Sequence, residues 1–131
     1  MPHPNQTSTA ALAVLIILQA VMLGALYAGV PPHPPAVTPL FAIAPFLGVS
    51  MATAVAAILL GGSASRPGRI LSLLAATMAL ISFGPQKYLD AQFGLIWPAV
   101  IAGQLACLAL FTDTLRHIRS PATAARQEQQ A

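Results

Sequence analysis

Four stretches of this chain contain no charged side chain: Ala10 to Val30, Leu40 to Leu60, Ile70 to Phe83 and Phe93 to Phe111. A hydrocarbon core about 30 Å thick is crossed by a helix of about 20 apolar residues. Three of the four stretches have that length. In lipid the backbone must satisfy its own hydrogen bonds, so such stretches become helices. Composition points the same way. Only 7% of the 131 residues are charged, against about 25% in ordinary soluble domains. Nine charged side chains cannot wet the surface of a 13.5 kDa globule. Disorder is excluded for the opposite reason, since 56% of the residues are hydrophobic and disordered chains lack apolar surface to bury. The expected class is an all-α membrane protein, an antiparallel bundle of four transmembrane helices.

The local signals set the expected boundaries. Thr7, Ser8 and Thr9 offer N-cap oxygens before a first span at about 10–30, which Pro31-Pro32 ends. The segment before it has no Lys or Arg, so the span reads as a retained helix rather than a cleaved signal peptide. A second span, about 40–60, follows Thr38-Pro39, a cap followed by proline at the first helical position. It ends at Gly61-Gly62, and Pro45 predicts a bend near Phe41. The third run reaches span length only if it continues through Gly84-Pro85 to Leu89, so a kinked helix over about 70–89 is expected, with a re-entrant turn as the alternative. Lys87 would then snorkel toward the headgroups beside Tyr88. The fourth span, about 93–115, is opened by Asp90 as cap. Residues 1–9 read as a short cytoplasmic segment, 10–119 as the transmembrane domain and 120–131 as a polar, mobile tail.

Arg66 and Arg69 fall in the second loop, and Arg116, Arg119 and Arg126 follow the fourth span. Lys87 stands alone on the opposite side. This bias predicts that both termini and the second loop are cytoplasmic, in a multi-pass protein of the cell inner (plasma) membrane. Tyr27, Phe41, Tyr88, Phe93 and Trp97 fall at the predicted outer ends, where an aromatic belt belongs. Small residues spaced by four, such as Gly24 and Ala28, Gly48 and Ala52, Ala75 and Ala79, and Ala99 and Gly103, permit close helix approach.

Several classes of function are disfavoured. Cys107 is the one cysteine, so no intramolecular disulfide, redox pair or Cys-rich metal site can form, and quinone-reducing four-helix enzymes that need paired thiols are excluded. The basic residues are scattered at segment ends rather than gathered on a face, so no nucleic-acid partner is implied. His33 in VPPHPPAVTP has no companion ligands at useful spacing, and neither a metal nor another cofactor is implied. In length and number of spans the chain resembles the small four-helix multidrug exporters. That family relies on a membrane-embedded glutamate in its first helix, and the residue at comparable depth here is Gln19, which cannot exchange a proton. The likeness is architectural.

Three groups of residues remain as candidate sites. Gln19, Ser50, Thr53, Thr77 and Gln104 lie near the middle of their spans and form a candidate midplane polar ring, either a small polar site or hydrogen-bonding glue between helices. Gln86, Lys87, Tyr88, Asp90, Gln92 and Trp97 form a candidate outer-interface patch for a docking partner, a lipid or a quinone headgroup. Asp113, Arg116 and His117, at spacing i, i+3, i+4, read as a surface ion cluster in which the basic pair offsets an acid near a helix C-terminus. The spans carry no ionisable residue away from their ends, where intramembrane chemistry would need one. The sequence therefore favours a non-catalytic membrane component, an accessory or assembly subunit or a homo-oligomer, with the lipid bilayer and a second membrane subunit or copy as partners. The alternatives are a small dimeric transporter or facilitator with a midplane polar site, and an enzyme or binder acting on a lipid-phase substrate at the outer interface.

Overall fold

A computed structural model describes residues 4–29, 40–91 and 93–130. Among them there are no strands. Four helices, α1 (Pro4–Ala28), α2 (Leu40–Leu59), α3 (Arg66–Phe83) and α4 (Phe93–Gln130), are joined by a 3-10 turn at Gly62–Ala64 and another at Pro85–Leu89. Four helical stretches are long and apolar enough to cross a membrane, Gln6–Ala28, Phe41–Leu59, Arg66–Leu89 and Phe93–Arg119, the third reaching Leu89 only by including the 3-10 turn after α3. Helix α1 packs against α2 and α4, α3 packs against the same two, and the turn at Gly62–Ala64 touches α1, α3 and α4 at one end.

Packing is inside-out relative to a soluble protein. The shared core is built largely from alanines, Ala54 and Ala57 of α2, Ala75, Ala76 and Ala79 of α3, and Ala106 of α4, with Leu12, Leu15 and Leu110 filling between them. Small side chains let backbones approach, and van der Waals contact then holds helices together where the surrounding solvent is itself apolar. The large aliphatics point outward: Ile17 and Val21 of α1, Leu59 of α2, Ile81 of α3 and Leu105 of α4 are each about 60% exposed or more. Less than half of each span is buried within the chain. Outward faces this apolar belong against lipid or another apolar surface.

The elements differ from the sequence expectation at four places. Helix α1 starts at Pro4, so Thr7, Ser8 and Thr9 lie inside the helix instead of capping it. Proline is well suited to a first helical turn, where its missing N–H is not needed. Helix α3 starts at Arg66 rather than near Ile70. Ser65 caps it by accepting from the Gly68 N–H at 3.0 Å, with proline in the first turn. Hydropathy misses this turn because Arg-Pro-Gly-Arg is polar, while the cap chemistry favours it. At the other end α3 stops at Phe83. Gly84 is extended, and the chain re-forms as a separate 3-10 turn rather than a kinked continuation to Leu89. Proline disfavours helical conformation in the residue before it, which ends the helix at Gly84. Finally, α4 is helical to Gln130, past the end near 115 and through the expected tail. Asp113 therefore sits well inside a helix, away from the C-terminal dipole that would have disfavoured it.

The second span matches its expected limits, with Pro45 inside α2. Asp90 meets the start of α4 through its backbone, its carbonyl accepting from the Phe93 N–H at 3.0 Å. His3, His33, Thr38 and Gln92 lie outside the described residues.

Candidate functional site

The polar side chains gather in three layers. The largest is the one the sequence did not suggest. At the end where α1 begins, Ser8 and Ser63 are fully buried, and Asp113 is 9% exposed. The turn containing Ser63 is made by Gly61 and Gly62, whose φ values of 89° and 57° are left-handed and suited to glycine. This turn carries Ser63 inward. Its N–H donates to Ser8 Oγ at 3.3 Å, its hydroxyl donates to Asp113 Oδ2, and its carbonyl accepts from Arg69 Nη1 at 3.3 Å. One turn further along α4, His117 Nδ1 lies 2.9 Å from the Asp113 carbonyl oxygen and 3.7 Å from its carboxylate. A ring nitrogen that close to a carbonyl must carry the proton, so Nδ1 is the donor.

Ser8 of α1, Arg69 of α3 and Asp113 of α4 thus meet at Ser63, in the turn between α2 and α3. Asp113, read from sequence as part of a surface ion cluster with Arg116 and His117, is instead an interior acceptor, while Arg116 is exposed. Helical spacing put the three residues near each other but gave no indication that Asp113 faces the core. The buried run at positions 103, 106, 107, 110, 113 and 114 carries the inward stripe of α4 one turn beyond the apolar residues. The hydroxyls of Ser72 and Thr114 are also buried and have no hydrogen-bond partner.

The middle layer is small. Gln19 Nε2 donates to Ser50 Oγ at 2.8 Å, joining α1 to α2, and Gln19 is 1% exposed. Its Oε1 is buried without a partner. Thr53 and Thr77 return their hydroxyls to the carbonyls of Val49 and Leu73 in their own helices, both at 2.8 Å. Such back-bonding satisfies a hydroxyl without a second helix. Gln104 joins the third layer: its Nε2 donates to the Phe83 carbonyl at 3.2 Å, and its Oε1 accepts from the Tyr88 hydroxyl at 2.9 Å. The five residues of the expected ring are therefore divided among one interhelical pair, two self-satisfied threonines and one clamp on the end of α3.

In that third layer Gln86 Nε2 donates to the carbonyls of Leu80 and Ile81, at 3.0 and 2.7 Å, covering acceptors that the end of α3 leaves open. Lys87 and Asp90 pair at 3.7 Å across the 3-10 turn, and the Tyr88 ring packs against Phe93 at 5.1 Å. Trp97 is half-exposed on α4. Residues 86 to 90 thus share one turn whose hydrogen bonds run mainly to the neighbouring backbone and to Gln104. An open groove of about 710 Å³, lined by Leu23, Leu26, Tyr27, Phe41, Ala44 and Pro45, shares no residue with any of the three layers. Asp113 and His117 come nearest to a ligand pair. Among the described residues no group of three His, Cys, Asp or Glu side chains assembles.

The two glutamines make contrasting predictions. Gln104→Leu frees the Phe83 carbonyl and the Tyr88 hydroxyl together and is expected to lower stability by about 1–2 kcal/mol. Gln19→Leu removes one bond of about 0.6 kcal/mol along with an unpartnered oxygen, and should change stability by less than about 1 kcal/mol. Thermal unfolding of both variants in mild detergent checks the order, which a larger loss for Gln19→Leu would reverse. Comparison with protein-family models, with curated proteins and with solved structures found no match.

Proposed function

We propose that this chain is a multi-pass protein of the inner (plasma) membrane. Its four helices form an antiparallel bundle, with both termini and the α2–α3 connection in the cytoplasm. It serves as a non-catalytic component, an accessory or assembly subunit or a homo-oligomer. One observation carries the reading: three of the polar side chains at depth join separate elements of the chain. Gln19 engages Ser50, Gln104 engages the end of α3, and Asp113 engages the turn between α2 and α3. Orientation rests on charge. Contact between Asp113 and Ser63 brings Arg66, Arg69, Arg116 and Arg119 to one end of the molecule, opposite Lys87, and an excess of Lys and Arg marks the cytoplasmic side. Assembly is supported by Gly24, Ala28, Gly48 and Ala52, which stand exposed on α1 and α2. Small surfaces of this kind suit close contact with a further helix.

A small facilitator is the second reading, favoured by the buried, unpartnered Oε1 of Gln19 at mid-span. Native mass spectrometry from mild detergent separates the two. A homo-oligomer or a complex with another membrane subunit is expected. A protein without partner that moves solute across vesicle membranes would overturn the first reading in favour of the second. Reporter fusions at Arg66 and after Gln130 are expected to be cytoplasmic, and an external signal from either would refute the orientation.

A further inference from the structure

No Asp, Glu, Lys or Arg occurs before Arg66, so α1 and α2 carry no charged side chain. The open groove of about 710 Å³ lies between these two helices, at the end far from the glycine turn. Its volume falls in the range of about 300–1,000 Å³ typical of small-molecule sites. Leu23 and Leu26 of α1 and Ala44 of α2 give it apolar walls, and Tyr27 and Phe41 stand exposed on it. The remaining lining residue is Pro45, inside α2. Proline has no N–H, so the helical hydrogen bond from position 45 to the Phe41 carbonyl cannot form. Among the described residues no side chain donates to that carbonyl in its place. The groove therefore holds a backbone acceptor that has lost its own donor.

The surroundings decide what can meet it. A neighbouring helix cannot supply a donor from its backbone, because its own N–H groups are engaged. The exposed small residues that suit a further helix, Gly24, Ala28, Gly48 and Ala52, do not line the groove. A charged head would find no counter-charge on α1 or α2, and burying an unpaired charge is costly. A neutral hydroxyl escapes that cost and brings the missing donor.

We infer that the groove between α1 and α2 binds a neutral lipid bearing a hydroxyl, a long-chain alcohol or monoglyceride, whose hydroxyl donates to the Phe41 carbonyl and whose chain lies against Leu23, Leu26 and Ala44. Tyr27 and Phe41 fall at the ends of their apolar stretches, where aromatic side chains meet the headgroup layer. That depth sets the lipid hydroxyl level with its acceptor. The inference rests on the reading of the four helices as membrane spans.

The test places the full chain in phosphatidylcholine vesicles and labels it with a photoreactive oleyl alcohol or, separately, with the methyl ether of that alcohol. Adducts are mapped by peptide mass spectrometry. The ether keeps the chain and the oxygen but loses the donor. The alcohol is expected to label residues 23–27 and 41–45 at a membrane concentration about fivefold lower than the ether, the effect of one hydrogen bond. Pro45→Ala restores the N–H that occupies the Phe41 carbonyl, so both probes should still label, now within about twofold of each other. Ala44→Phe fills the groove and should abolish labelling there by either probe. Equal labelling of the unmodified chain by alcohol and ether, an unchanged ratio in Pro45→Ala, or groove labelling that survives Ala44→Phe overturns the inference. Label found only outside the groove overturns it too, in favour of a second copy or of residues 30–39 as the occupant. Competition by phosphatidylethanolamine as effective as by unlabelled oleyl alcohol would assign the donor to a charged head and equally overturn it. Failure of the membrane reading would look different: the chain would stay soluble and monodisperse after detergent removal, and both readings would fall together.

Discussion

Gly68→Ala is expected to lower the unfolding free energy by about 3 kcal/mol, combining overpacking with partial loss of a helix cap. A β-carbon at this position would overlap the Gly62 carbonyl oxygen and crowd the Ser65 hydroxyl. Neither neighbour is free to yield. Gly62 is held in a left-handed turn, and the Ser65 hydroxyl is the cap that accepts from the Gly68 N–H. Pushing either apart also moves Ser63, and with it the contacts to Ser8 and Asp113. Gly48→Ala and Gly24→Ala supply the contrast, because a β-carbon at those sites meets nothing within 4 Å. Both lie inside helices, where alanine is better than glycine by about 0.5–1 kcal/mol, so in detergent that keeps the chain monomeric they should leave stability unchanged or raise it. Circular dichroism melts in one detergent compare the three. A Gly68→Ala protein as stable as Gly48→Ala would show that the α2–α3 connection is not packed as described.

Asp113→Ala should cost about 1.5–3 kcal/mol, the range for a buried hydrogen bond to a charged group. The Ser63 hydroxyl would lose its carboxylate acceptor and keep only the longer contact to Ser8 Oγ at 3.3 Å. Asp113→Asn keeps an acceptor oxygen and should recover about half of the loss. Ser63→Ala removes the donor, and pairing it with Asp113→Ala in a double-mutant cycle isolates the contact. A coupling energy above about 1 kcal/mol is expected for two groups that touch. A value near zero, with the single variants additive, would mean that the carboxylate and the hydroxyl act independently and that the layer does not clamp the helices.

The two variants probe the part of the molecule that was hardest to read from its residues. Gln19 stood out because a lone amide inside an apolar run is conspicuous, and the structure buries it against Ser50. Gln104 stood out for the same reason, but its partners are the Phe83 carbonyl, left open by the early stop of α3, and the Tyr88 hydroxyl. Thr53 and Thr77 carry the same mid-span signal, and each is satisfied within its own helix. A polar residue at mid-span therefore indicates depth but leaves the choice among partner helix, own helix and cofactor open. Ser8 gave no signal beyond a cap. Its burial follows from the start of α1 at Pro4, which turns the expected cap into an interior helical position.

Four helices long and apolar enough to cross a membrane, and the imbalance of arginine along the chain, are legible in the residues in order, because hydropathy sums over neighbouring side chains and needs no knowledge of what lies across the fold. The union of Ser8, Ser63 and Asp113 was not legible there. Ser63 meets partners 55 and 50 positions away. Which hydroxyl meets which carboxylate depends on the rotation of each helix about its axis and on the shape of the glycine turn between α2 and α3. Those are properties of four helices packed together, and no local window of the chain contains them.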